Sequence, residues 1–218
     1  MAAETAAAET FTERQSAVLQ SALTLLVEGG EKALTTAGLA RAANCSKESL
    51  YKWFGDRDGL LAAVIGFQAA KVRTLPAGSE PRSAEAFRAE LVTFAEDLLT
   101  VLAGETSLAL NRLAIGQASR EGAHLGRLLL ERGRRSIDTR ATRLIEAGRR
   151  LGHLAFDDAG ETYRSFYGLV VRDLHVRLLL GEPAGVELSG FRARAEEAVA
   201  QFYRLFGAGK ASGEISRG

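Results

Sequence analysis

At 218 residues with 46% hydrophobic content, the chain is long enough for one large domain or two small ones, so burial of a core is not limiting. Lys and Arg number 28 against 27 Asp and Glu, a formal net charge of +1, so bulk charge neither suggests nor excludes a nucleic-acid partner, and any such contact has to come from local placement. A lone cysteine, Cys45, excludes an intramolecular disulfide, and the lack of any apolar run near 18 residues argues against a membrane span.

The opening MAAETAAAET lacks a basic and an apolar segment, so it reads as a flexible arm over 1–11 rather than a secretion signal, and a soluble, cytoplasmic protein is expected. A first helix is predicted from Thr12, with Gln15 three residues on completing a capping box, to Gly29-Gly30. Val18, Leu19, Ala22, Leu25 and Leu26 share one face of it. Three short helices follow, starting at Thr35 or Thr36, at Ser46 and at Asp56. The tight connection at Asn44-Cys45 forces the second and third to cross steeply, as in a helix-turn-helix.

A fourth helix is expected over 57–73 as a connecting element, and a loop over 74–83 holds Pro76, Gly78 and Pro81. Further helices are expected near 84–103, 106–118, 122–152, 159–181 and 188–206, with a tail over 208–218. Leu130, Gly133, Ile137, Ala141, Leu144, Gly148 and Leu151 form one seam along the third of these. The fold class is therefore all-α, with about nine helices.

Thr35 to Leu61, TTAGLARAANCSKESLYKWFGDRDGLL, carries the functional signal. Leu39, Ala40, Ala43, Leu50 and Phe54 have the spacing to hold two helices together, which leaves Lys47, Glu48, Ser49, Tyr51 and Lys52 on or near the outer side, a set rich in groups that bond phosphate and base edges. The stretch resembles the DNA-binding domain of the TetR family of bacterial regulators. The resemblance rests on Thr35-Thr36, Leu39-Ala40, Ser46, Leu50-Tyr51, Trp53-Phe54, Arg57 and Leu60-Leu61, and covers roughly residues 12–71. The chain departs from the family pattern at Asn44 in place of Gly, Cys45 in place of Val and Arg57 in place of Lys. Each replacement keeps the needed property: tolerance of a left-handed turn, a small buried apolar group, and a cation.

The resemblance implies a helix-turn-helix domain over 12–56 and an effector-binding and dimerisation domain over 84–207, acting as a ligand-responsive regulator, a repressor in the commoner case. It implies phosphate contacts from Thr36, Tyr51, Trp53 and Arg57, with Thr35 opening the second helix. Lys47, Glu48 and Ser49 lie nearest the base edges, Ser46 is mainly a cap, and Lys52 is a further phosphate donor. The implied partners are double-stranded operator DNA, a small-molecule effector and a second copy of the chain. Aromatic packing is the competing account of Tyr51 and Trp53, and Cys45 reads as turn packing rather than a redox sensor, since no second cysteine is present to resolve it.

In the C-terminal half, Phe166, Tyr167, Gly168, Val171, Arg172 and His175 on one helix and Phe191, Ala195, Val199 and Phe202 on another form apolar stripes wider than one core face requires, so they are the candidates for a dimer interface. Phe87, Leu91, Phe94 and Leu98 with Asn111 and Gln117 are candidates for a ligand pocket, with plain core packing as the alternative. His124, His153 and His175 have no ligand spacing, and no nucleophile motif is present, so no metal, cofactor or catalytic residue is assigned. The arginine-rich run over 127–150 reads as a solvated face, or else as an auxiliary anion site.

Overall fold

The computed structural model describes residues 11–76, 79, 81, 83–118, 123–183 and 190–210. Helix α1 (Glu13–Ala33) opens on the expected box: the Thr12 N–H donates to Gln15 Oε1 at 2.9 Å and the Gln15 N–H donates to Thr12 Oγ1 at 3.2 Å. The pair satisfies two donors that a helix start otherwise leaves open. The regular helix ends at Gly29-Gly30 as expected, and a short helical segment beyond the kink completes the span to Ala33. Gly30 takes a φ of 65° and breaks the helix locally, which then resumes to Ala33.

Helices α2 (Thr36–Ala42), α3 (Lys47–Phe54) and α4 (Arg57–Ala69) are each capped by a side chain that the sequence marks. Thr35 accepts from the Gly38 N–H at 3.0 Å, Ser46 from the Ser49 N–H at 3.0 Å, and Asp56 from the Gly59 N–H at 2.8 Å. Each cap contributes about 1 kcal/mol. Helix α4 ends at Ala69, short of the expected Arg73.

Helices α5 (Ala84–Ala103) and α6 (Glu105–Gln117) start within a residue of expectation. The expected helix over 122–152, whose first residue lies outside the described ones, is interrupted. It consists of α7 (His124–Leu128), a π-helical turn (Leu129–Arg134) and α8 (Arg135–Arg150). A π turn turns less per residue than an α turn, so a three-and-four seam loses register across it. Leu130 is accordingly 61% exposed while Ile137, Ala141 and Leu144 stay buried. A Cβ on Gly133 would stand 3.2 Å from Ile65 Cγ2, so glycine lets this turn lie close against α4.

The expected helix over 159–181 is likewise divided, into α9 (Ala159–Val171) and α10 (Leu174–Leu179), at Arg172 with φ 49°. Arg194 on α11 (Phe191–Phe206) donates to the Val170 carbonyl at 3.0 Å and the Val171 carbonyl at 2.8 Å, which occupies the acceptors freed by the break. Positions 188 and 189 of the last expected helix lie outside the described residues, as do 1–10, parts of 74–83 and 211–218 of the expected arm, loop and tail. Among the described residues the extended pairing is a single antiparallel bridge between Leu154 and Gly207. No single helix among them is long and apolar enough to cross a membrane.

Packing groups the chain into two compact units that interleave along the sequence: 1–72 with 101–137 and 176–183, and 73–100 with 138–175 and 184–218. The chain passes between them at 72/73, next to the expected 74–83 division. However, α6, α7 and the π turn pack with the N-terminal helices rather than with a separate C-terminal domain, and Leu110 of α6 lies in the same core as Leu19, Leu23, Leu39, Leu61 and Val64. In the second unit, Phe94, Phe166, Phe202 and Phe206 form a run of ring contacts between α5, α9 and α11.

Candidate nucleic-acid interface

Leu39, Ala43, Leu50 and Phe54 are buried on the facing sides of α2 and α3, which leaves Lys47, Glu48, Tyr51 and Lys52 exposed and Ser49 half-buried. Tyr51 is 57% exposed, too open for a packing residue. Trp53 is half-buried instead, packs on the core and meets Phe54 edge-on at 6.2 Å, so much of its ring is committed to packing.

Asn44 takes the left-handed conformation the tight turn demands, with φ 48°. Cys45 is half-buried and packs against the same core. The turn is held from outside as well. Arg14 on α1 donates to the Ala43 carbonyl at 3.1 Å and the Asn44 carbonyl at 2.6 Å. Arg14→Ala is expected to lower stability by about 1–2 kcal/mol through loss of these charge-assisted bonds. A urea titration of the midpoint checks it, and an unchanged midpoint would show that the turn holds itself.

Where α1, α2, α3 and α4 converge, a cleft of about 340 Å³ has Lys32, Thr35, Thr36, Tyr51 and Arg57 among its walls, with Leu34, Leu50, Phe54 and Leu60 beneath. Two cations and three hydroxyls therefore border one space together with the Asp56 carboxylate, which is engaged as the cap of α4, so the cations outnumber the acid and the set suits a phosphate group. Thr36, Tyr51 and Arg57, assigned separately to phosphate, are thus brought together. Lys32 escapes the sequence reading because it follows a helix break and carries no motif. Arg14 escapes it because its contacts bridge about thirty residues of chain.

At the start of α3, the Glu48 carboxyl is held below the usual carboxylate range, first by the hydrogen bond from its own backbone N–H and then by the Ser46 hydroxyl and the Lys47 charge. The group is therefore an anion turned back onto the helix start, where it also complements the helix dipole. Ser46 serves as the cap, its hydroxyl also lying 3.1 Å from that of Ser49.

Elsewhere the candidates separate. Phe87, Leu91, Phe94 and Leu98 are fully buried in the second unit, whereas Asn111 and Gln117 belong to the first. The Asn111 amide donates to the Ser107 carbonyl at 2.8 Å on its own helix. Of the ten interface candidates, Phe166, Val171, Phe191, Ala195, Val199 and Phe202 are buried within the single chain. Tyr167 and His175 are half-buried, while Gly168 and Arg172 lie exposed. His124 lies 3.0 Å from Asp58, and the His153 ring lies 5.4 Å from that of Phe87.

Two family models match: "Bacterial regulatory proteins, tetR family" over residues 18–64, and "AefR-like transcriptional repressor, C-terminal domain" over 89–208. No curated protein matches the chain. Among solved structures, a TetR transcriptional regulator from Agrobacterium tumefaciens is 66% identical, with 92% of this chain and 97% of that one covered and a TM-score of 0.76. The flavonoid-responsive regulator FrrA is 26% identical over 91% of this chain and 98% of its own, with a TM-score of 0.62. A TetR family transcriptional regulator from Pseudomonas syringae pv. tomato, 17% identical over 94% of this chain and 100% of its own at a TM-score of 0.61, shares the fold. With both halves matched and a close relative spanning nearly its whole length, the chain belongs to the TetR family of transcriptional regulators, DNA-binding proteins rather than enzymes.

Proposed function

We propose that the chain is a cytoplasmic, homodimeric repressor that binds a near-palindromic operator and is released by a small molecule. The observation that carries this reading is the cleft that gathers Lys32, Thr36, Tyr51 and Arg57 beside the exposed face of α3. In this reading two copies set their α3 helices in successive major grooves about 34–36 Å apart, with Lys47, Glu48 and Ser49 over the bases. Lys32, Lys52 and Arg57 neutralise phosphates, and Trp53 adds a contact from its uncovered edge. The match to a repressor C-terminal domain supports the sign of regulation, and the likeness to a flavonoid-responsive regulator supports a small aromatic effector.

The second copy sits on the outer face of α9 around Gly168, where an added Cβ would meet nothing within 4 Å and a neighbouring helix has room to approach. Tyr167, Arg172 and His175 flank that position. Coupling of about 1–3 kcal/mol between effector and operator is enough for a 5- to 150-fold change in DNA affinity.

Fluorescence anisotropy with duplexes from the region upstream of the chain's own gene, run across a salt series, tests the reading. Arg57→Ala is expected to weaken all duplexes alike and to reduce the salt slope by about one. Lys47→Ala is expected to relax preference at one or two base pairs, worth about 1–3 kcal/mol of discrimination. A flat salt dependence with no sequence preference in the unmodified protein would refute operator binding.

A further inference from the structure

The cleft sets Lys32 and Arg57 against Asp56, which is engaged as the cap of α4. Asp58, next in the chain to Arg57 and exposed in the first turn of α4, brings the acids level with the cations. Consecutive α-carbons stand about 3.8 Å apart, well inside the screening length of about 8 Å at physiological ionic strength, so an ionised Asp58 opposes the pull of Arg57 on a phosphate. Asp58 also has a titratable neighbour. His124, the first residue of α7, brings its Nε2 to 3.0 Å from Asp58 Oδ1. That nitrogen is closed off from solvent and makes no hydrogen bond, so the contact is one of charge rather than of aligned donor and acceptor.

A bare lone pair this close to a carboxylate is repelled, so Nε2 carries the proton of the neutral ring and Nδ1 is left to take up a second. The side chain is 40% exposed, which keeps the ring within reach of solvent protons. The elements packed against α7 are α4, α6 and the π turn. Arg57 and Asp58 are the charged residues of α4, Glu105 and Arg112 those of α6, and Glu131, Arg132 and Arg134 those of the π turn, with Arg127 on α7 itself. Arg112 is spent on the Leu178 and Leu179 carbonyls, and Asp58 is the acid that meets the imidazole. We infer that His124 makes duplex binding proton-linked: its imidazolium cancels Asp58 and leaves Arg57 to act, whereas the neutral ring leaves Asp58 in opposition. The inference rests on reading Arg57 as a phosphate contact. The effect is exerted in place, through charge at the start of α4, and needs no movement of the helix. Binding therefore strengthens on acidification through the range in which histidine changes charge, about pH 8 to 5.

The test is anisotropy of the full chain with the upstream duplexes and with a mixed-sequence duplex, from about pH 8 to 6 at fixed ionic strength. The unmodified protein is expected to bind about two- to fivefold more tightly at the acid end. His124→Gln is expected to hold the weaker level at every pH and His124→Lys the tighter one, a divergence that a disturbed fold, which weakens both, does not produce. Asp58→Asn is expected to bind at the alkaline end as tightly as the acidified unmodified protein. A flat response in the unmodified protein overturns the inference, as does a His124→Gln variant that keeps the full response, which then belongs to His153, His175 or another group. So does a His124→Lys variant that binds no more tightly than His124→Gln. Sequence preference separates this from the wider reading. Preference without a pH response overturns the proton link and leaves the operator reading standing, a response without preference does the reverse, and no binding to any duplex at any pH overturns both.

Discussion

Gly59→Ala is expected to abolish operator binding and to lower stability by about 2–4 kcal/mol. Gly59 stands in the first turn of α4, where Asp56 caps its N–H, and an added Cβ would lie 2.0 Å from the Phe54 carbonyl oxygen and 3.2 Å from its carbon. The obstacle is main chain, so no rotamer change relieves it. Nor is the Phe54 peptide free to turn away. Gly55 follows at φ 73° and its N–H is bonded to the Tyr51 carbonyl at 2.9 Å, closing the end of α3. The junction of α3 and α4 must open, which pulls Arg57 away from Tyr51 and Thr36. A urea titration paired with anisotropy checks both effects. Gly116→Ala is the control, since its Cβ meets nothing within 4 Å and helix propensity predicts a gain of about 0.5–1 kcal/mol. Equal midpoints for the two variants would show that the junction gives way freely.

The second large effect concerns Phe202. Its side chain is fully buried and its ring centroid lies 4.9 Å from that of Phe166, also buried, in the second unit. Phe202→Ala leaves a cavity among rings that cannot close over it, at a cost of about 3–5 kcal/mol. Because the burial lies within one chain, the shift in thermal midpoint is expected to be independent of protein concentration. A residue whose partner is another subunit would instead show a shift that changes with concentration. Gly168→Arg is expected to behave in the opposite way, leaving the fold of each subunit intact while sedimentation velocity reports weaker self-association. A shift relative to the unmodified protein that varies with concentration would return Phe202 to the interface.

The features legible in the sequence are those decided by near neighbours. Thr12 with Gln15, Thr35 or Thr36, Ser46 and Asp56 are read as caps because a hydroxyl or carboxylate meets an N–H three residues away, and Thr12, Thr35, Ser46 and Asp56 do so. Asn44 is read as a left-handed turn residue from its own side chain, and it has φ 48°. The exposed face of α3 follows from helical spacing alone. What stayed hidden depends on partners distant in sequence. Nothing local marks the π turn over Leu129–Arg134, which places Gly133 near Ile65, or the break at Arg172, whose freed carbonyls are taken by Arg194. The stripe of Phe166, Phe191 and Phe202 shows an apolar surplus but not its destination. Here the surplus is absorbed inside the single chain because α5 supplies Phe94 on the other side.

The clamp of Arg194 on Val170 and Val171 joins a cation to peptide dipoles. Ion-dipole attraction is short-ranged and half-buried here, so dissolved electrolyte scarcely weakens it, whereas the exposed Arg172–Glu197 pair at 3.2 Å fades as counterions accumulate. The end of α9 therefore stays clamped from dilute buffer to concentrated brine, and a change of duplex affinity over that range is to be traced to counterion release from the nucleic acid rather than to loss of this clamp.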